Sequence, residues 1–160
     1  MEHRLLAIDE GHQRLSLIDT RDRGAGWTLS LDELPLARDL QRLGPDRALV
    51  GYDHGFFELD IRTGAVCNVC ERWREVTAVR RLPNGSTLVT GTDLDGDKGI
   101  VMLTLDRDLR ETARIRRDGN YVRLMRPVSD GYLLCSNDHI LETDLTLNEL
   151  VTAGVVDAGL

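Results

Sequence analysis

One unit, repeated about four times, governs what this chain can fold into. The stretches DLQRLGPDRALVGY (Asp39 to Tyr52), AVRRLPNGSTLVTG (Ala78 to Gly91) and YVRLMRPVSDGYLLCS (Tyr121 to Ser136) share one grammar. Each places Leu or Val at alternate positions, then a turn rich in Gly, Pro, Asn or Asp, then an apolar run; this is the pattern of a β-hairpin. A third strand follows in each case: FFELDIRTG, IVMLTLDRD and HILETDLTLN. Upstream, RLLAIDEGHQRLSLIDTRD supplies the second and third strands of one more unit without its first. The third strands end at Asp19, Asp60, Asp106 and Asp144, spaced 41, 46 and 38 residues apart. Each of these carboxylates is expected to accept from backbone N–H groups two residues on and so open the next turn. A more polar fourth strand then follows: GWTLSL, GAVCNV, RETARI and NELVTA.

Helical periodicity is nowhere sustained for more than two turns. A four-stranded unit with a period near 40 cannot bury both faces alone, and stacking units around an axis covers them while leaving only short edges. The predicted fold is all-β, a β-propeller of about four four-stranded blades, with blade 1 lacking its own innermost strand. It is read as a single domain over 1–160, with units at about 1–36, 37–76, 77–118 and 119–153. The tail 154–160 is one candidate to close the ring. The favoured alternative is a homodimer in which two chains share one larger ring. An uncovered blade would leave a large apolar face, which argues against an open monomer.

The segments ARDLQRL, RRLPNGSTLVTG and YVRLMRP, with the closing ELD, TLD and ETD, resemble the bacterial propellers built from PQQ-like or arylsulfotransferase-like repeats. Blades of that family carry a Leu-Pro-Asn-Gly-Asn-Thr-Leu core. The resemblance covers nearly the whole chain and implies the blade. It leaves the chemistry open, because such folds host many unrelated activities. No PQQ-binding or sulfotransferase signature accompanies it. Arg takes nineteen of the twenty basic positions and Lys98 the other, a bias read as that of a GC-rich bacterium.

The net charge of −7 argues against a protein whose main work is neutralising nucleic-acid phosphates or docking on an anionic membrane. The start, MEHRLLAIDE, has charges where a secretion signal needs an apolar run, so the expected location is cytoplasmic. Three cysteines, Cys67, Cys70 and Cys135, then read as free thiols. CNVC has the spacing of half a zinc site, but no second pair exists. In a strand its two cysteines point to opposite faces.

Three patterns carry candidate chemistry. The turns between second and third strands hold His12, His54 and His139, with Asp53 and Asp138 directly before the latter two. A ring of such residues on one face could bind a divalent metal or supply a general base. Asp93, Asp95 and Asp97 in TDLDGDKG have the alternation of a Ca²⁺ loop, although Lys98 and Thr104 stand where an EF-hand needs Gly and Glu. Gln41, Arg80 and Arg123 align on successive first strands, where two guanidiniums could grip a small anion. No Gly-x-Ser-x-Gly elbow and no phosphate-binding Gly loop is present. The sequence therefore points to a binding or scaffolding propeller for a small anionic ligand or a protein partner. The alternative is a hydrolase or lyase working through the His and Asp turns.

Overall fold

The computed structural model describes residues 3–154. Antiparallel strands make up nearly all of it. They run β1 (Arg4–Asp9), β2 (Arg14–Asp19), β3 (Trp27–Ser30), β4 (Asp39–Arg42), β5 (Arg47–Tyr52), β6 (Gly55–Asp60), β7 (Val66–Glu71) and β8 (Val76–Arg81), followed by β9 (Thr87–Thr92), β10 (Ile100–Leu105), β11 (Glu111–Arg117), β12 (Leu124–Val128), β13 (Gly131–Cys135), β14 (His139–Asp144) and β15 (Glu149–Gly154). Two single 3₁₀ turns, Arg23–Ala25 and Leu94–Gly96, interrupt the series.

The strands form four up-and-down sheets: β1 to β3, β4 to β7, β8 to β11 and β12 to β15. The fold is therefore the all-β, four-bladed class expected from the repeat, with three four-stranded blades and a first blade of three strands. The place that β4, β8 and β12 hold in their sheets has no counterpart in the first among the described residues. Of the tail 154–160, only Gly154 is among the described residues, at the end of β15.

The chain divides into two compact units, Met1–Arg74 with the first two sheets and Glu75–Leu160 with the last two. Within the first unit, Leu15, Leu31, Ala48, Val50, Tyr52 and Phe57 form a buried cluster. The indole N–H of Trp27 in β3 donates to the Ile61 carbonyl at 2.8 Å, tying the first sheet to the second. In the second unit the buried cluster includes Ala78, Leu88, Met102, Met125 and Leu134. There the Arg117 guanidinium donates to the Leu147 carbonyl at 3.2 Å, joining the third sheet to the fourth.

The four repeated aspartates do what the sequence predicts. Asp19 accepts from the N–H groups of Arg21 and Asp22, Asp60 from Arg62 and Thr63, Asp106 from Asp108 and Arg110, and Asp144 from Thr146 and Asn148, all at 2.8–3.1 Å. Backbone donors aimed at a carboxylate favour its charged form. The Asp22 and Arg21 amides, with Arg4, hold the Asp19 carboxyl down at about 2. The Thr146 hydroxyl, with Asn148, outweighs burial and holds Asp144 at about 2. At Asp60, burial is the largest influence and pushes upward, yet the Thr63 and Arg62 amides win and the carboxyl lies below its usual range.

The Pro83-Asn84-Gly85 turn also forms as read. Gly85 has φ of 88°, its N–H donates to Leu82 O, and Leu82 N–H donates to Ser86 O. That left-handed backbone is the reason the position is glycine. All three cysteines are free thiols; Cys67 is exposed, at the register shift in the β6–β7 pairing, and Cys70 is buried on β7.

Candidate functional site

Strand register places the candidate residues of the first strands. Counting back two from the turn aspartates, Leu49 pairs with Glu58, Leu88 with Thr104 and Leu133 with Glu142, so these three leucines are equivalent. Across on the first strand, Leu49 faces Gln41, Leu88 faces Arg80 and Leu133 faces Arg126. Gln41 and Arg80 are thus equivalent, as the alignment has them. The third member is Arg126, not Arg123. The β12–β13 turn holds only Ser129 and Asp130, whereas Leu82 to Ser86 separate β8 from β9, and the shorter turn shifts the match by three residues. Arg123 precedes β12, is exposed, and donates its backbone N–H to Cys135 O.

Within the second unit, β8 and β12 are in contact. Together they carry Arg80, Arg81 and Arg126, with Arg123 immediately ahead of β12, and neither strand contains a carboxylate. Arg80 is only 7% exposed. One guanidinium nitrogen of Arg126 donates to the Met125 carbonyl at 2.7 Å.

The turn histidines each meet a carboxylate of their own hairpin. His12 Nδ1 lies 2.9 Å from Asp9 Oδ2, and the same carboxylate takes the His12 backbone N–H and the Arg14 guanidinium. His12 first, by its ring and its amide, sets the Asp9 carboxyl below its usual range. His54 sits between Asp53 (Nε2 to Oδ2, 3.3 Å) and Glu71 (Nδ1 to Oε1, 3.5 Å). Glu71 also accepts from the Tyr52 hydroxyl at 3.4 Å. Burial first, and then the Glu71 charge, push that phenol up to about 12.

His139 opens β14 at the wall of a cavity of about 470 Å³ in the second unit, floored by Ile100 and Leu141. Its Nδ1 lies 2.6 Å from Asp138 Oδ1 and 3.1 Å from Ser136 Oγ, and Ser136 itself donates to Asp138 at 2.7 Å. The Ser136 hydroxyl and then His139 lower the Asp138 carboxyl. A proton relay needs the carboxylate on one ring nitrogen and the hydroxyl on the other. Here both contact Nδ1, so the trio forms a local cluster that braces the turn.

The acidic turn behaves in the same local way. Asp93 accepts from Lys98 Nζ at 2.9 Å and from the Gly99 N–H at 2.8 Å, and these two donors keep its carboxyl below the usual range. Asp97 is bonded by the Arg114 guanidinium. Asp95 stands in the 3₁₀ turn at φ of 53°. Among the described residues, no three His, Cys, Asp or Glu side chains gather closely enough to hold a metal ion. Nor is any helix among them long and apolar enough to cross a membrane.

The sequence reading missed two things. One is Arg126, which the hairpin length could have revealed. The other is a cavity of about 340 Å³ in the first unit, beside β1, with Leu6, Leu17, Leu40 and Ile61 in its lining. The absent first strand of blade 1 was its only trace in the sequence.

No family model and no curated protein sequence matches this chain. Among solved structures, it is similar to a protein of unknown function from Bacteroides caccae, at 14% identity and a TM-score of 0.68, over 95% of this chain and 57% of that one. It is also similar to the AfRom2 CNH domain, at 10% identity and a TM-score of 0.62, over 96% of this chain and 52% of that one. A third likeness, at 12% identity and a TM-score of 0.51, is to a chain in the S. cerevisiae dbp5 complex with nup159 and gle1; it spans 89% of this chain and 43% of that one. The chain therefore spans about half the length of the structures it matches. At these identities the likeness is one of fold alone.

Proposed function

We propose that this chain is a binding module that recognises a small anionic ligand at the first strands of its third and fourth sheets. The observation that carries the reading is the charge of those strands. In a chain of net charge −7, β8 and β12 adjoin each other and bear Arg80, Arg81 and Arg126 without a single acidic residue of their own. Guanidinium forks match carboxylate, sulfate and phosphate oxygens two at a time. The burial of Arg80 lowers the local dielectric and strengthens any such bond. Catalysis at the turn histidines is the weaker reading, because each imidazole is occupied within its own hairpin.

The test is calorimetric titration with inorganic phosphate, sulfate and a short dicarboxylate. Replacing Arg126 with Gln is expected to weaken anion binding about tenfold, the loss of one hydrogen bond to a charged group. Arg123→Gln is expected to change it far less. Arg80→Lys keeps the charge but loses the fork, and separates geometry from simple attraction. Anion binding that is absent, or indifferent to Arg80 and Arg126, sinks the reading.

A further inference from the structure

Among the described residues, the first sheet ends on a strand with nothing beside its outer edge. Thr20 N–H donates to His3 O, which fixes the alternation along β1. His3, Leu5, Ala7 and Asp9 turn their backbone groups toward β2, and Arg4, Leu6 and Ile8 turn theirs away. Those outward N–H and C=O groups form the free edge of a three-stranded sheet. In the other three sheets the equivalent edge is covered by β4, β8 or β12.

Those three strands show what fits. Opposite Val50, Val89 and Leu134, the equivalents of Ala7, stand the apolar Leu40, Val79 and Met125. Opposite Leu49, Leu88 and Leu133, the equivalents of Leu6, stand the polar Gln41, Arg80 and Arg126. An added strand would accordingly alternate. Its apolar residues would share the face of the directly paired Leu5 and Ile18, which are 53% and 47% exposed. Its polar residues would share the face of Leu6, which lines the 340 Å³ cavity.

Charge decides the polar residues. Arg4 is 64% exposed on this side, while its partner Asp19 is 11% exposed and already bound by backbone amides. Arg62 at the same cavity is 67% exposed against 23% for Asp60. Arg42 donates to the carbonyls of Gly44 and Pro45. Three guanidiniums, those of Arg4, Arg42 and Arg62, line the cavity against the single carboxylate of Asp46, which is 51% exposed and faces Arg62 at 3.6 Å, so the rim presents net positive charge to an incomer. Pairing two copies through β1 would bring two such rims together, which argues against a second copy as the occupant.

We infer that the free edge of β1 takes up an extended segment of a partner polypeptide, alternating aliphatic and acidic residues, as the fourth strand of the first sheet. Main-chain bonds to Arg4, Leu6 and Ile8 supply the affinity, and the cavity with its arginines reads the side chains. The inference does not rest on the anion reading at β8 and β12.

The probe is an acetylated, amidated octapeptide alternating Val with Asp or Glu. It should bind, bind more weakly as salt rises, and slow hydrogen exchange at the Leu6 and Ile8 amides. The same peptide N-methylated at alternate residues, so that its donors to β1 are gone, should bind at least about tenfold more weakly. Arg42→Glu should weaken binding about fivefold or more, the loss of one charge contact. Three outcomes overturn the inference: no binding, equal binding of the methylated peptide, or saturation without protection at Leu6 and Ile8. A free chain that sizes as a dimer with those two amides already protected also overturns it, and assigns the edge to a second copy.

Discussion

Strands β1 and β5 hold the same place in two sheets of one unit and end in opposite environments. Ala48, Leu49 and Val50 of β5 are 0%, 1% and 0% exposed. Their counterparts in β1 are Leu5 and Ala7, both exposed, and Leu6, half-buried. The residues scarcely differ in kind, RALVGY against RLLAID. What differs is the company: β5 lies between β4 and β6, and among the described residues β1 has β2 alone. Burial in this architecture takes a facing sheet as well as a neighbouring strand, since Ala48 and Val50 pack on Leu15 and Leu31 while Ile18, paired with Leu5, stays 47% exposed. A hydrophobic sequence is necessary for a buried strand and insufficient to bury one.

Hydrogen exchange should separate the two strands most widely. The Leu49 amide faces β4, and the Leu6 amide faces no described strand. Leu49 should exchange about a thousandfold more slowly or better, as core and edge amides do. Similar rates would mean that β1 is covered in solution. Truncation comes next. Leu49→Ala should cost about 2–5 kcal/mol, the range for a fully buried leucine, and Leu6→Ala about 1 kcal/mol or less. Denaturant midpoints at constant slope would read the difference, and equal losses would refute it. Smaller again is Trp27→Phe, which keeps the ring and removes the donor to Ile61 O. About 1 kcal/mol should go, with the first sheet losing one polar tie to the second.

The sequence made the sheets legible because their punctuation is chemical. Asp19, Asp60, Asp106 and Asp144 each bind backbone amides just downstream, and that role needs a short carboxylate wherever a third strand ends. The missing strand of blade 1 was equally legible, as an absence in a counted series. The site was less so. Arg123 looked equivalent to Arg80 because YVRL resembles AVRR, but register is set by hairpin length, and two turn residues in place of five hand the position to Arg126. The histidines share a place in the repeat, and in each case the turn supplies a carboxylate for the ring. Repetition reports what the backbone needs at a position, and it is silent about which side chains meet.

The smallest effect distinguishes the first sheet from the fourth at their matched aspartates. Both carboxyls lie at about 2 in the folded chain against an ordinary 3.8. With the folded value the lower one, the unfolded chain takes up protons first as pH falls. The stability these groups lend is complete above the ordinary value and drains away as pH falls from about 4 toward 2. Asp19→Asn and Asp144→Asn should each flatten that acid limb and lower the neutral plateau, where the lost contribution is complete. The two differ in what holds them. Asp144 is held by neutral donors, the Thr146 hydroxyl and the Asn148 amides, whereas Asp19 adds the Arg4 guanidinium at 2.9 Å to its backbone donors. An ion pair 64% exposed on its Arg side is screened by salt; a bond to an amide is not. Carbon NMR titration at high ionic strength should therefore raise the Asp19 carboxyl and leave Asp144 where it was. Equal movement of the two would show that Arg4 does not depend on Asp19. In that case the outward guanidinium at the edge of β1 would be held in place by something other than its cross-strand partner.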